Sequence, residues 1–288
     1  MDQVVLMDGA VGTSLWEKTE IKVPVWQYNM TNPKIVKELE EEYVKAGAQI
    51  VLANTFGANR ISMKKTPYNV QETVTSAMEL IHQAVDGKVP TSSPTKENAK
   101  IALAIGPLAT LMEPYGDLEE DEALDIFDEM IKAALPYKPD YIYIQTFIDL
   151  AMMEVAVRAA SRYDIPVLAS MSFEAIGKTI FGNSAEDMID TLKPYDTVKA
   201  VGLNCSLGPD AAVPIMKTFH ELTDMPLIFK PNAGKPSVTD GETKMQFDMD
   251  TFVKDAVPAL NYGVRYIGGC CGTNAAYIDR LRKAIGRE

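Results

Sequence analysis

The chain has 288 residues but only 3 Cys, 2 His and 2 Trp. An odd cysteine count that small fits a reducing, cytoplasmic compartment better than a disulfide framework. Positive charge is also scarce, with Lys+Arg 28 against Asp+Glu 40 and a formal net charge of -12. No basic run offsets that field, which would repel a nucleic-acid backbone or an anionic membrane surface. No apolar stretch approaches the ~20 residues of a membrane-spanning helix. Met1-Asp-Gln-Val-Val-Leu-Met-Asp8 lacks the basic and apolar regions of a secretory signal. What is present is an ordinary globular balance, 47% hydrophobic and 24% charged, ample for a sizeable core.

Short β-branched runs alternate with amphipathic stretches throughout, the pattern of βα units around a parallel sheet. Eight runs read as strands: Val4 to Met7, Gln49 to Ala53, Ile101 to Ile105, Tyr141 to Gln145, Val167 to Ser172, Val198 to Asn204, Leu227 to Lys230 and Tyr266 to Gly268. Helices are predicted from Thr31 to Gly47, with Pro33 in the first turn, and near 71–85, 119–135, 150–163, 185–192, 211–222, 250–261 and 275–285. Eight strands with intervening helices predict a (β/α)8 TIM barrel, and the length lies near the ~250 residues usual for that fold. One domain over residues 1–288 is expected. The polar, Pro- and Ser-rich segment 86–98 precedes a strand, so it reads as a surface insertion away from the chemistry. Gly106 to Leu118 and Pro231 to Asp248 follow strands and are candidates for substrate contacts or a lid.

Cys205, Cys270 and Cys271 each follow directly on a predicted strand. In a parallel barrel both strands open on the face where barrel enzymes keep their chemistry, so three thiolates could meet in one mouth. Three protein ligands with a fourth position open is the pattern of a catalytic zinc site. Zinc with three thiolates is a poor Lewis acid but well suited to holding a substrate thiol deprotonated, which points to thiol alkylation. Two other readings stand beside this one: buried cysteines acting as small hydrophobes, and a strained vicinal disulfide between Cys270 and Cys271. His82 and His220 fall on predicted outer helices and are poor candidates for ligand or base. The acidic run 119–122 suits a solvated helix start, and Met152, Met153 and Met171 suit the core.

Asp8-Gly-Ala-Val-Gly-Thr13, Asn54-Thr-Phe56, Gly202-Leu-Asn-Cys-Ser-Leu-Gly-Pro209, Pro231-Asn-Ala-Gly234 and Gly268-Gly-Cys-Cys-Gly-Thr273 together resemble the homocysteine S-methyltransferase family. The likeness spans essentially the whole chain and is closest to the homocysteine-binding barrel of cobalamin-dependent methionine synthases. It implies a zinc-dependent barrel that methylates homocysteine to methionine, with Cys205, Cys270 and Cys271 as zinc ligands. It also implies substrate contacts at Asp8, the amides of Gly12 and Thr13, Asn54, Thr55, Gln145, Asn204 and Asn232. Asp8 and Asn54 could instead satisfy their own loops, and the glycines could serve only tight turns.

One position departs from the family: Gln145 stands where a Glu is usual, and that carboxylate is expected to pair with the substrate ammonium. A Gln can accept a hydrogen bond but supplies no charge. The resemblance further implies a methylcorrinoid (methylcobalamin) donor carried by a partner protein, since the chain has no room for a cobalamin or folate module. S-methylmethionine or betaine-like donors serve related barrels. The alternatives are a barrel acting on a different thiol and a non-catalytic zinc or corrinoid-protein binding module.

Overall fold

The structure is a computed structural model that describes residues 4–86, 99–239 and 242–286. From the amino end run β1 (Val5–Leu6), α1 (Gly12–Glu17), α2 (Tyr28–Thr31), α3 (Pro33–Lys45), β2 (Ile50–Leu52), α4 (Arg60–Met63) and α5 (Val70–Asp86). Then come β3 (Lys100–Ile105), α6 (Glu120–Ala134), β4 (Tyr141–Phe147), α7 (Leu150–Ala160), β5 (Val167–Met171), α8 (Ala185–Leu192), β6 (Val198–Asn204) and α9 (Pro209–Leu222). The chain continues through β7 (Leu227–Lys230), the hairpin β8 (Pro236–Thr239) and β9 (Glu242–Met245), α10 (Met249–Ala256), β10 (Val264–Ile267) and α11 (Ala275–Ala284). Residues 87–98, most of the expected surface insertion, lie outside the described residues.

Eight strands form one sheet in the order β1-β10-β7-β6-β5-β4-β3-β2, and every pairing is parallel. A parallel bridge from Met7 to Ile50 joins β1 to β2, with the Gln49 N–H donating to the Leu6 carbonyl at 2.7 Å. The sheet thus curls into the (β/α)8 barrel that the strand count predicts.

Two concentric apolar layers follow from the period-2 alternation of strand side chains. Ile101, Leu103 and Ile105 of β3 face outward against the helices, with Ile142 and Ile144 of β4 and Leu227 and Phe229 of β7. Ala102, Ala104, Tyr143 and Ile228 face inward, with Met7, Leu52, Leu168, Ala200 and Tyr266. Burial on both faces is why these strands read as continuous apolar runs rather than alternating ones. The same parity directs Gln145, Asn204 and Lys230, two residues beyond Tyr143, Gly202 and Ile228, toward the barrel interior at its carboxyl end.

The helices form where their ends are chemically marked. Pro33 occupies the first turn of α3, where no N–H is needed. Ser184 and Asp187 make a reciprocal capping box at α8, and the Asp149 side chain accepts from the Ala151 N–H to start α7. The acidic run opens α6, and Met152, Met153 and Met171 are buried in the outer layer. The predicted helix 250–261 is instead α10 followed by a 3-10 segment, Val257–Tyr262, because Pro258 removes an α-helical donor. Three short helices, α1, α2 and α4, and the β8–β9 hairpin carry too little periodicity to be read from sequence. Among the described residues no helix is long and apolar enough to cross a membrane.

Candidate active site

The barrel's carboxyl end brings Cys205 from the loop after β6 together with Cys270 and Cys271 from the loop after β10. The three sulfurs all lie within 4.8 Å of one another, and Cys205 Sγ to Cys271 Sγ is 3.7 Å. All three are free thiols, so the vicinal disulfide is not formed. Tetrahedral zinc with Zn–S near 2.3 Å requires sulfurs ~3.8 Å apart, so this donor set fits a three-thiolate zinc site with little adjustment. The chemistry of the thiols agrees. For Cys205, Cys270 pulls the thiol down while Cys271 and burial push it up, to about 11. Cys270 is raised by Cys205, eased by Cys271 and raised again by burial, and Cys271 is eased by Cys205 but raised by Cys270 and burial, each to about 12. Thiols held this high ionise together only when a cation joins them.

The cysteine loops are stitched together through the backbone of β7 and its following segment. The Cys205 N–H donates to the Lys230 carbonyl at 3.0 Å, and the Asn232 N–H to the Leu207 carbonyl at 2.8 Å. The Ala233 N–H reaches the Cys271 carbonyl at 2.9 Å, and the Cys270 N–H the Pro231 carbonyl at 2.8 Å. Pro231-Asn-Ala-Gly234 is therefore a main-chain brace between the two loops. Asn232 serves this brace through its backbone; its own Oδ1 is buried without a partner. Gly268 sits so close to the first strand's end that an added Cβ would fall 2.6 Å from the Asp8 carbonyl oxygen. Gly272 has φ +80, and its Cβ would meet Met245 of β9.

Asn204 holds a second network. Its Oδ1 accepts from the Thr146 N–H at 2.8 Å and the Ser170 hydroxyl at 2.6 Å. Its Nδ2 donates to Thr146 Oγ1 at 2.7 Å and approaches Cys270 Sγ at 3.8 Å. Thr146 (φ 64), Cys205 (φ 64) and Ser206 (φ 56) all have left-handed backbone that non-glycine residues rarely adopt. Such geometry persists where surrounding bonds over-determine it, as the Asn204 amide does at Thr146. The ladder between β4 and β5 slips at this point, which re-aims the end of β4 beside Gln145.

A cavity of about 250 Å³ opens above the sulfurs. Cys205, Cys270 and Cys271 line it together with Gly12, Thr13, Asn54, Gln145 and Lys230, and Trp16, Val25 and Phe56 add apolar walls. Among the described residues, the loops 106–118 and 231–248 contribute no lining residue; the segment after β1, through Trp16 and Val25, provides the wall instead. Of the residues expected at the substrate, Gly12, Thr13, Asn54 and Gln145 line the cavity, while Asp8, Thr55, Asn204 and Asn232 lie behind its surface. Thr55 donates its hydroxyl to the Ala104 carbonyl at 2.7 Å, tying the loop after β2 to β3. Asn54 donates to Val25 and Asn29, leaving its buried Oδ1 unpartnered.

Lys230 is the residue that the sequence reading named only as a strand end. Its Nζ lies 2.5 Å from Asp8 Oδ1, and both side chains are buried. Asp8 Oδ2 accepts from the Leu52 N–H at 2.8 Å, so both carboxylate oxygens are engaged. Burial raises the Asp8 carboxyl, against the Lys230 ammonium and the Leu52 N–H that lower it. Glu40 lies nearby and is buried; burial first and then Asp8 push it, against the Asn54 backbone N–H, well above the carboxylate range, which favours its neutral form. A lysine closing an otherwise apolar buried strand, in register with inward-facing Ile228, is the signal that could have found it. His82 and His220 sit on α5 and α9, outside the mouth.

Comparison with known proteins agrees with this geometry. The family profile of homocysteine S-methyltransferase matches residues 5–285. Homocysteine S-methyltransferase 1 of Brassica oleracea var. italica is 26% identical over 98% of this chain and 94% of its own length. Methionine synthase of Mycobacterium leprae is 24% identical over 99% of this chain, which spans only 24% of that larger protein. The metallated form of the homocysteine methyltransferase MmuM from Escherichia coli superposes with a TM-score of 0.83 at 20% identity, covering 98% of this chain and 96% of that one. With three cysteines gathered at the mouth of a (β/α)8 barrel and a family match from the first strand to the last helix, this chain belongs to the homocysteine S-methyltransferase family.

Proposed function

We propose that the chain is a zinc-dependent thiol S-methyltransferase, acting as one barrel unit in the cytoplasm, with homocysteine or a thiol of its length as acceptor. The observation that carries this reading is the cluster of three cysteine sulfurs lining a cavity at the barrel mouth. Cys205, Cys270 and Cys271 would hold the metal, which when bound supplies an open position for a substrate thiol and keeps that thiol deprotonated at neutral pH. The chain's own part is positional. The brace at Pro231–Gly234 and the Asn204 network fix the sulfurs, and Trp16, Val25 and Phe56 exclude water around the nucleophile. The backbone of Gly12 and Thr13 offers donors for a substrate carboxylate.

For the donor we propose a methylcorrinoid delivered by a partner protein. Supporting this, the loops after β3 and β5 expose large apolar side chains on the cysteine face, Tyr115 at 72%, Ile176 at 83% and Ile180 at 71% among them. Surface of that kind suits a macromolecular partner better than a small methyl-onium donor. The similarity to methionine synthases, of which this barrel spans a quarter, supports the same direction.

X-ray absorption on the zinc-loaded protein tests the acceptor step. Homocysteine, or a related thiol, should raise the sulfur count at the metal from three to four. An unchanged count with every thiol at saturation refutes the reading. Methylation of the bound thiol by methylcobalamin then separates an enzyme from a binding module.

A further inference from the structure

The charge of the acceptor cavity points away from an amino-acid thiol. Among the described residues lining the cavity, only Lys230 carries a full charge apart from the cysteines, and it is a cation. Gln145 is neutral, as are Thr13 and Asn54. The nearest carboxylate, Asp8, lies behind the cavity surface with one oxygen on Lys230 Nζ and the other on the Leu52 N–H. As a buried ion pair at 2.5 Å, Lys230 and Asp8 sum to zero and present no net negative charge. Glu40, the buried acid near Asp8, does not line the cavity either.

An ammonium entering this cavity would have to give up water without gaining a counter-ion, and burying an unpaired charge is costly. A three-thiolate zinc site would carry one negative charge, but that charge lies at the sulfur end of the acceptor, the opposite end from an ammonium group. The backbone donors at Gly12 and Thr13, with no carboxylate among the described lining residues, favour an anionic or neutral tail.

We infer that the acceptor of this chain is a thiol without an ammonium group, a mercaptoalkanoate of about homocysteine's length, with Lys230 keeping Asp8, the carboxylate behind the cavity wall, from pairing with an ammonium. The inference rests on the thiol S-methyltransferase reading and narrows its substrate class. Lys230 is the residue that sets this specificity.

The test is calorimetric binding to the zinc-loaded wild type of three thiols: homocysteine, 4-mercaptobutanoate, which lacks only the amino group, and 3-aminopropanethiol, which lacks only the carboxylate. The expected order is 4-mercaptobutanoate at least as tight as homocysteine, with 3-aminopropanethiol weakest. In Lys230→Met, which frees Asp8, the preference should move toward homocysteine by about tenfold, the size of one charge-assisted contact. Wild type binding homocysteine ten times or more tighter than 4-mercaptobutanoate overturns the inference and leaves the thiol S-methyltransferase reading intact. No binding of any of the three overturns both. The wild-type comparison decides the matter even if Lys230→Met does not fold.

Discussion

Asn204→Ala is the substitution for which the structure gives the sharpest expectation. The side chain is fully buried, and it satisfies the Thr146 N–H at 2.8 Å, the Ser170 hydroxyl at 2.6 Å and Thr146 Oγ1 at 2.7 Å. Truncation strands the first two donors, and each buried unpaired donor costs about 1–3 kcal/mol. The expected loss is therefore about 2–6 kcal/mol, with water from the adjoining cavity drawing it toward the lower end. The same amide holds Thr146 at φ 64, a conformation worth about 1–3 kcal/mol of strain, so its removal lets the end of β4 relax. Because Cys205 follows Asn204 directly and Cys270 Sγ lies 3.8 Å from Nδ2, zinc affinity should fall by about 10–100-fold, as for other partners of metal ligands. Urea unfolding and competition against a chromogenic chelator measure the two effects. Asn204→Asp keeps the acceptor and should fall between wild type and Ala in stability. A loss below about 1 kcal/mol for Ala, with zinc affinity unchanged, would refute the role given to this network.

Cys205→Ser should weaken zinc binding by more than about a hundredfold, beyond the range of outer-shell changes, while circular dichroism reports an intact barrel; full methyl transfer by this variant would sink the proposed mechanism. Gly268→Ala places a Cβ 2.6 Å from the Asp8 carbonyl oxygen, and overpacking against backbone should cost about 1–3 kcal/mol, read as a lower urea midpoint. Asp128 lies apart from the site. Burial raises its carboxyl, but hydrogen bonds from Lys132 and Tyr163 outweigh this and hold it below the ordinary carboxylate value. A depressed folded-state value means that its contribution is fully present above the unfolded value of ~3.9 and disappears as pH falls through the folded one. Asp128→Asn should lose about 1.5–3 kcal/mol at pH 7; a loss that persisted undiminished at the acid end would contradict the assignment.

The eight strands were legible because parallel barrel strands are buried on both faces and read as short continuous apolar runs bounded by turn residues. The expected Leu227–Lys230 and Val198–Asn204 agree with the strands found, and the other six agree to within two residues at each end. The short helices α1, α2 and α4 were not legible, since four to six residues do not establish a 3.6-residue period. Among the described residues of the two loops that were candidates for substrate contacts or a lid, none lines the cavity, because loop length carries no information about the direction in which a loop folds.

The sequence by itself determined the barrel and the meeting of three cysteines, since strand parity and the common direction of parallel strands fix which ends share a face. Tertiary structure alone decided the charge inside that mouth. Asp8 and Lys230 stand 222 positions apart in the chain. Their pairing depends on β1 and β7 both lying beside β10, a closure of the sheet that no local pattern encodes. It likewise decided that Asn204 and Asn232 support the cysteine loops from behind rather than facing the cavity, because a side chain's neighbours are set by packing between elements and not by its place in a motif.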